Sequence, residues 1–267
     1  MNVAIHDMYE ELTVCAKNKL STGLTNFDSG LQGGFSPELY IFVGRLYDER
    51  YALFTHLIEQ FAREGYQILY YSFYESIQSI QNKFLMRHDY KFHRDATSTI
   101  PSIVHQLESS PHQLALFQQY VNKIFHNLHV ENTPFVKTTN LKETLSAIAK
   151  EDKVVVLLDE RQLRPLELMD YEYCRSHLNE LKEIAHSFNV PILSNVMLSK
   201  EDHFALQEGF LTEVGIENVV DNFIIFEQTP VLLTPYTVNL TVMSKSMAQS
   251  KPVPLTYHSS HYYFQDA

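Results

Sequence analysis

The residues with the clearest chemical signature form an eight-residue segment placed where a phosphate-binding loop is expected. A loop of the form G-x-x-x-x-G-K-[ST] uses a second glycine to bring backbone amides to phosphates, a lysine to reach the outer phosphates and a hydroxyl to hold Mg²⁺. This segment begins with Gly44 and Arg45, and its last three positions hold Glu49, Arg50 and Tyr51. A carboxylate repels an anionic ligand, and a phenol is a poor substitute for a small alcohol on the metal. The sequence therefore predicts a nucleotide site that has lost its chemistry.

The flanking residues indicate that this segment is a loop between a strand and a helix. Before it, residues 39–43 form a short apolar run with aromatic and β-branched members. After it, apolar residues recur at helical spacing from Leu53 to Phe61, and Gly65 follows as a stop signal. Residues 68–73 are typical of a second buried strand. These patterns predict a βαβ unit whose loop lies at the carboxyl end of a strand.

Strands and helices continue to alternate along the chain. We expect a helix from Leu141 to Lys150, with Asn140 as its N-cap and Glu143 at the capping-box position. Pro191 suggests that the first residues of a strand over 190–194 lie outside a central ladder. Further strands are expected over residues 128–130, 154–158, 223–226, 236–242 and a last run through Phe264. The late strands lack intervening helices, so we expect antiparallel hairpins that extend the edge of a mostly parallel, twisted α/β sheet with helices on both faces.

Composition narrows the classes of function. The chain of 267 residues carries 21 basic and 32 acidic residues, a net charge of −11, which disfavours non-specific attraction to nucleic acid or anionic membrane. The basic residues are scattered singly along the sequence, without an evident cluster. Neither the two cysteines, Cys15 and Cys174, nor the 13 histidines have metal-type spacing. With no signal peptide and no apolar run of about 20 residues, we expect a soluble cytoplasmic protein without a bound metal.

Five short segments, in this order, carry a resemblance to a known family. They are residues 21–28 (STGLTNFD), 31–39 (LQGGFSPEL), 157–163 (LLDERQL), 189–200 (NVPILSNVMLSK) and 213–221 (EVGIENVVD). Together, over roughly residues 10–264, the chain resembles the RecA-like C-terminal domain of DnaB-type replicative helicases. KaiC-like and RadA-like proteins share the early T-G and G-G signals, but the later segments favour DnaB. The resemblance implies a RecA-like P-loop NTPase fold.

The resemblance also implies roles for individual residues. Asp159 takes the place of the strand-end acid that orders Mg²⁺, and Gln162 that of a residue facing the γ-phosphate; the alternative for Asp159 is a carboxylate that caps a turn. The glutamate that orients water in the family falls on Tyr74, and the nearest carboxylate is Glu75. A shift of one residue on an extended segment turns a side chain to the opposite face, so we expect Glu75 to point away from the site unless a bulge restores it.

Two further regions depart from the family pattern. In the stretch that supplies trans-acting residues to the neighbouring subunit, Lys245 is kept, but Met247 replaces an arginine finger, a group worth about 10³ to 10⁵ in rate. The loop over residues 200–209, basic in the helicases, holds one lysine against three acids, so DNA binding is not expected. Because these regions have changed together, we expect no catalysis and no cofactor. ATP and Mg²⁺ are the ligands under the alternative in which Arg50 substitutes for lysine.

The first 20 residues are predicted to form a linker-like helix ahead of a single RecA-like domain over residues 21–267. An apolar stripe at helical spacing consists of Ile5, Met8, Tyr9 and Leu12. In the resembling helicases such a helix packs on the next subunit; the alternative is a helix folded back on its own domain.

Three hypotheses for function follow. The first is a catalytically inactive DnaB-like RecA-fold protein that acts through self-association or a protein partner such as a DnaB-type helicase, in DNA replication or mobile-element maintenance. The alternatives are an ATP-dependent helicase-like ATPase with an aberrant phosphate loop and a KaiC-like nucleotide-binding regulator.

Overall fold

A computed structural model describes residues 19–45, 49–73, 75–95, 97–133, 136–148, 153–159, 171–198, 219–227, 235–244 and 251–267. The side chains of residues 45, 171, 174 and 196–198 are not included in that description. The helices are α1 (Thr25–Gly30), α2 (Arg50–Arg63), α3 (Ile77–His93), α4 (Ile100–Ser109), α5 (Pro111–Asn127), α6 (Thr138–Ala147) and α7 (Tyr171–Phe188). Among these helices, none combines the length and the apolar character that a membrane span requires.

The strands of the described residues form one sheet in the order β3-β2-β4-β5-β1-β6-β7-β8-β9. They are β1 (Leu39–Arg45), β2 (Gln67–Ser72), β3 (Leu128–Asn132), β4 (Val154–Asp159), β5 (Ile192–Leu198), β6 (Asn222–Glu227), β7 (Tyr236–Ser244), β8 (Val253–His258) and β9 (Tyr263–Asp266). The six strands from β3 to β6 pair in parallel, and β6 to β9 pair antiparallel. The predicted fold class, a mostly parallel sheet with an antiparallel C-terminal edge, is confirmed.

Two apolar layers cover the sheet, one on each face. On one face, α1, α2, α3 and α5 contribute core residues such as Phe27, Leu57, Phe84 and Ile124. On the other, α6 and α7 contribute residues such as Leu181. Strands buried on both faces need continuous apolar sequence, which explains why β4 reads VVVLLD and is buried along its whole length.

Three local predictions meet different outcomes. The helix α6 begins at Thr138, two residues before the predicted cap, so Asn140 and Glu143 lie inside the helix and the capping prediction is wrong. Strand β5 starts after Pro191, as predicted, and lies between β4 and β1. Strand β6 pairs in parallel with β1 on one side and antiparallel with β7 on the other, so the antiparallel prediction for the late strands holds only from β6 onward.

The early motif of the resemblance forms a closed turn that packs on the sheet. The Asp28 carboxylate accepts hydrogen bonds from the Ser21 hydroxyl at 2.6 Å and the Thr22 amide at 2.7 Å. Gly34 has φ +120°, and a Cβ at this position would collide with the Leu20 carbonyl. These residues have a structural role that is independent of any ligand.

Candidate functional site

The residues of the predicted nucleotide site converge at the carboxyl ends of the parallel strands. Gly44 lies near the end of β1, and Arg50 is the first residue of α2. Asp159 ends β4, and Glu75 follows the end of β2. Ligands of open α/β sheets bind at this edge, so the structure places the site where the sequence predicts it.

The side chains of Tyr51 and Asp159 are joined directly. The Tyr51 hydroxyl donates a hydrogen bond to Asp159 Oδ1 at 2.9 Å, and the backbone N–H of Phe73 donates to Oδ2 at 3.3 Å. Asp159 is 2% exposed. Both carboxylate oxygens therefore accept hydrogen bonds from the protein, one of them from the residue that replaces the metal-binding alcohol.

Glu49 and Arg50 are also engaged by the protein. The Glu49 carboxylate accepts a hydrogen bond from the hydroxyl of Tyr236, at the start of β7. The Arg50 side chain is fully buried, with 0% exposure. A lysine at this position of a working loop reaches the outer phosphates, whereas a fully buried guanidinium is not presented to a ligand in solution.

Glu75 lies in the same cluster, so the prediction that it turns away is wrong. Its carboxylate pairs with Lys83 of α3 and accepts a hydrogen bond from the Tyr70 hydroxyl at 3.2 Å. The chain leaves the extended conformation after Ser72, whose hydroxyl accepts the Glu75 amide hydrogen at 2.9 Å. Strand alternation therefore does not apply at this residue.

The cluster around Glu75 is neutralised internally. The Lys83 ammonium lies 5.7 Å from the centre of the Tyr51 ring and 5.3 Å from that of Tyr262. Burial, and then the charges of Glu75 and Asp159, raise the pKa of Tyr70 well above its usual value, so this phenol remains a donor. A carboxylate that already holds an ammonium and a phenol is poorly placed to orient an attacking water.

The structure also reveals a basic helix face that the sequence analysis missed. Lys83, Arg87, Lys91 and Arg94 recur along α3 and its C-cap at intervals of four, four and three residues, the spacing of a single helix face. We call these four residues the α3 basic face. The K-x₃-R-x₃-K-x₂-R pattern is visible in the sequence, but the sequence did not reveal that this face is turned inward.

A buried ion cluster forms where the α3 basic face meets Glu59 of α2. Arg87 Nη2 lies 2.7 Å from Glu59 Oε2, Lys91 pairs with the same carboxylate, and Arg63 Nη2 lies 3.0 Å from Oε1. Burial alone would raise the pKa of Glu59, but Arg87, Lys91 and Arg63 together hold it well below its usual value. Burial lowers the pKa of Lys91 to about 8, against the pull of Glu59.

The remaining predicted site residues lie outside the described residues. They are the Arg45 side chain, Tyr74, Gln162, Lys245, Met247 and the stripe Ile5, Met8, Tyr9 and Leu12. Within the described part of the chain, no three histidine, cysteine or acidic side chains are arranged to hold a metal ion.

The described site residues do not fit ATP and Mg²⁺. A magnesium ion needs a free carboxylate oxygen and a small alcohol, whereas Asp159 is bonded to Tyr51. The phosphates would lie beside the carboxylate of Glu49. No chemical step through a bound nucleotide is therefore derived from this site.

Comparison with known proteins identifies the class of fold. No protein-family model matches the chain, and neither does any curated protein sequence. Solved structures do match. One is the ATPase domain of a DnaB-like helicase, with 14% identity and a TM-score of 0.73 over 100% of this chain and 98% of that one. Another is a DnaB-like replicative helicase described together with its interactions with primase, with 13% identity and a TM-score of 0.74 over 99% of this chain and 68% of that one. The chain therefore has the RecA-like fold of DnaB-type helicase ATPase domains, and this likeness bears on fold alone.

Proposed function

We propose that this protein is a catalytically inactive DnaB-like RecA-fold protein that acts through protein–protein contacts in DNA replication or mobile-element maintenance. The observation that carries the proposal is the hydrogen bond between Tyr51 and Asp159. It joins the residue that should bind the metal to the residue that replaces the alcohol. The site therefore holds itself together without a ligand.

Energetics at the site support the loss of nucleotide binding. A hydrogen bond to a charged group contributes about 1.5–3 kcal/mol, and Mg²⁺ would have to displace the one that Tyr51 donates to Asp159. Like charges about 4 Å apart repel by roughly 4 kcal/mol near a protein surface. A phosphate beside Glu49 would experience repulsion of this order without the compensating lysine.

The chemistry of hydrolysis lacks its other parts as well. Lys83 and Tyr70 occupy the Glu75 carboxylate. An arginine finger is absent from the sequence at Met247. These changes affect separate steps of one reaction, and their joint occurrence favours a protein that has kept the fold and lost the activity.

The helicase-like alternative requires Arg50 to substitute for lysine on the phosphates. Its complete burial favours the first hypothesis. A KaiC-like nucleotide-binding regulator would need the same loop to bind a nucleotide, so the repulsion from Glu49 disfavours it equally.

The partner that we propose is a second copy of this chain or a DnaB-type helicase ring. The scaffold of the family is intact, and the N-terminal stripe of Ile5, Met8, Tyr9 and Leu12 supplies apolar anchors for a neighbouring domain. A DnaB-like helicase with this fold interacts with primase, so a place in the same assembly is consistent with the fold. Binding to DNA or membrane is not part of the proposal, because the chain carries a net charge of −11.

Isothermal titration calorimetry with ATP, with and without Mg²⁺, tests the proposal. We expect no heat of binding for the unmodified chain under either condition. The matched variant Glu49→Gly/Arg50→Lys/Tyr51→Thr restores the residue types of a working loop, and any binding by this variant alone would locate the defect in these three positions. Magnesium-dependent binding by the unmodified chain would support an ATPase or a nucleotide-binding regulator instead.

A further inference from the structure

A second pocket lies away from the degenerate site, in the helical segment between β2 and β3. It has a volume of about 270 Å³ and is enclosed by the end of α3, by α4 and by the first turns of α5. Its apolar wall consists of Phe92, Ile103, Leu107 and Leu116. Ile103 packs with Leu85 and Met86 in a small core of its own, so this wall is fixed by the packing of the three helices.

Two polar atoms of residues that line this pocket lack partners. Asp89 Oδ2 and His88 Nε2 have no hydrogen-bond partner among the described residues, although both atoms are shielded from solvent. Asp89 is 2% exposed and His88 is 8% exposed. Buried polar groups are nearly always satisfied, and an unpaired one costs free energy. An unpartnered carboxylate oxygen at this depth therefore indicates a site for a hydrogen-bond donor.

The charge of the pocket favours a cationic donor. The other oxygen of Asp89 lies 2.7 Å from His93 Nδ1, so the carboxylate is held in a fixed orientation. Burial lowers the pKa of His88 to about 4, so at neutral pH its ring is uncharged and does not repel a cation. A neutral imidazole nitrogen beside a carboxylate oxygen offers a donor-rich ligand two acceptors.

Phe92 supplies an aromatic surface and a movable cover. Its ring lies 4.5 Å from the His88 ring, and the residue is 63% exposed. An exposed aromatic residue that lines a pocket can shift without disrupting the core, and its π face attracts cations. Opening at Phe92 would give a ligand access to the two unpartnered atoms behind it.

We propose that this pocket binds an organic ammonium, a small molecule with an apolar body and a charged N–H donor. The ammonium donates to Asp89 Oδ2 and His88 Nε2, and the apolar body packs against Ile103, Leu107 and Leu116. A metal ion is not the proposed ligand, because no three donors of the described residues are arranged to hold one. The proposal is independent of the degenerate nucleotide site.

The test compares two probes of the same shape on the full chain. Calorimetry or ligand-observed NMR measures the affinities of 2-phenylethylamine, which is cationic, and 2-phenylethanol, which is neutral. We expect the amine to bind about tenfold or more tightly than the alcohol, because its donor is charged. Asp89→Asn keeps the shape and removes the charge, so the two probes should then bind about equally. The matched control Glu108→Gln, on the exposed side of α4, should leave the preference unchanged.

A second variant keeps the proposal testable if Asp89→Asn does not fold. Leu116 lines the pocket and is 39% exposed, so Leu116→Trp should fill the space without disturbing the core. Both probes should then lose binding. No binding of the amine at millimolar concentration, equal affinities of the two probes for the unmodified chain, or an unchanged preference in a folded Asp89→Asn variant would each overturn the proposal.

Discussion

At the scale of single residues, a substitution in a lost nucleotide site has become a structural contact. Tyr51 extends from the first turn of α2 to Asp159 at the end of β4, across 108 positions of sequence. A small alcohol at this position would be too short to make the same contact. The phenol removes the metal site and at the same time satisfies a buried carboxylate, which would otherwise be costly.

Removing the Tyr51 hydroxyl should destabilise the fold. In Tyr51→Phe, Asp159 loses a donor at 2.9 Å while the ring keeps its packing. We expect the free energy of unfolding to fall by about 1–3 kcal/mol, the range for a buried acceptor left unsatisfied. Urea unfolding followed by circular dichroism measures the change.

A matched control separates this bond from a general effect of losing a phenol. Tyr66 is half-buried and lies outside the cluster, so Tyr66→Phe should change stability by less than about 0.5 kcal/mol. Equal effects of the two substitutions would argue against the structural role of Tyr51.

The sequence allowed the positions of these residues to be predicted, but not the bonds between them. The loop after β1 and the carboxylate after β4 follow from apolar runs with clear ends. The bond from Tyr51 to Asp159 depends on tertiary geometry, and so does the position of Glu75, because a local turn at Ser72 cancels strand alternation. Local patterns do not carry such information.

At the scale of elements, α3 connects the degenerate site to the C-terminal edge of the sheet. One end of the α3 basic face pairs with Glu75 beside Tyr51, and its middle pairs with Glu59 of α2. Arg87 also donates to the backbone carbonyl of Tyr262, just before β9. The helix was predicted, but its inward-facing charges were not, because their partners lie 28 and 175 positions away from Arg87.

Breaking the ion cluster on its buried side should be far more costly than breaking it at the surface. Arg87 and Glu59 are each 1% exposed, whereas the side chain of Arg63 is 47% exposed. We expect Arg87→Met to lower the free energy of unfolding by about 3 kcal/mol or more, and Arg63→Met to lower it by at most about 1 kcal/mol. Chemical denaturation of both variants provides the comparison, and a similar small loss for both would contradict the cluster's role.

Stability should fall as the pH falls below about 6.5. Burial, and then Arg87, lower the pKa of His56 to about 3 in the folded chain. An unfolded histidine has a pKa near 6.5, so between these values the unfolded chain takes up a proton that the folded chain refuses. This residue alone should reduce stability by up to about 1.4 kcal/mol per pH unit over that window.

Urea unfolding between pH 5 and pH 7 measures this dependence. His56→Gln removes the titrating group, so its stability should depend on pH less steeply than that of the unmodified chain, by about one proton. His88, whose pKa burial lowers to about 4, contributes in the same direction and remains in both proteins. An identical slope in the variant would show that His56 is not the group responsible.

At the scale of the whole molecule, the fold of a helicase ATPase domain persists without the fittings of its site. The order of the sheet, the layers on its two faces and the turn between Ser21 and Asp28 all serve packing. The fold class could be predicted because long apolar runs and helical periodicity extend along the chain. The parallel pairing of β6 with β1 could not, since alternation along a strand does not specify its neighbour.

Assembly should depend on the predicted N-terminal stripe. Each apolar side chain buried in a contact contributes about 1.5–3 kcal/mol, so Met8→Asp/Leu12→Asp should weaken self-association or binding to a DnaB-type ring while the fold survives. Light scattering and pull-down with a purified helicase measure the two interactions. Asp7→Asn/Glu10→Gln, on the opposite side of the predicted helix, is the matched control and should have little effect. Unchanged assembly in the first variant would place the stripe against its own domain.

Steady-state release of phosphate from ATP in the presence of Mg²⁺ tests the central claim most directly. The engagement of Asp159 by Tyr51 and of Glu75 by Lys83 predicts that the unmodified chain releases phosphate at the same trace rate as Asp159→Ala. Release well above that background, abolished by Asp159→Ala, would contradict the account and show that the site is an active ATPase.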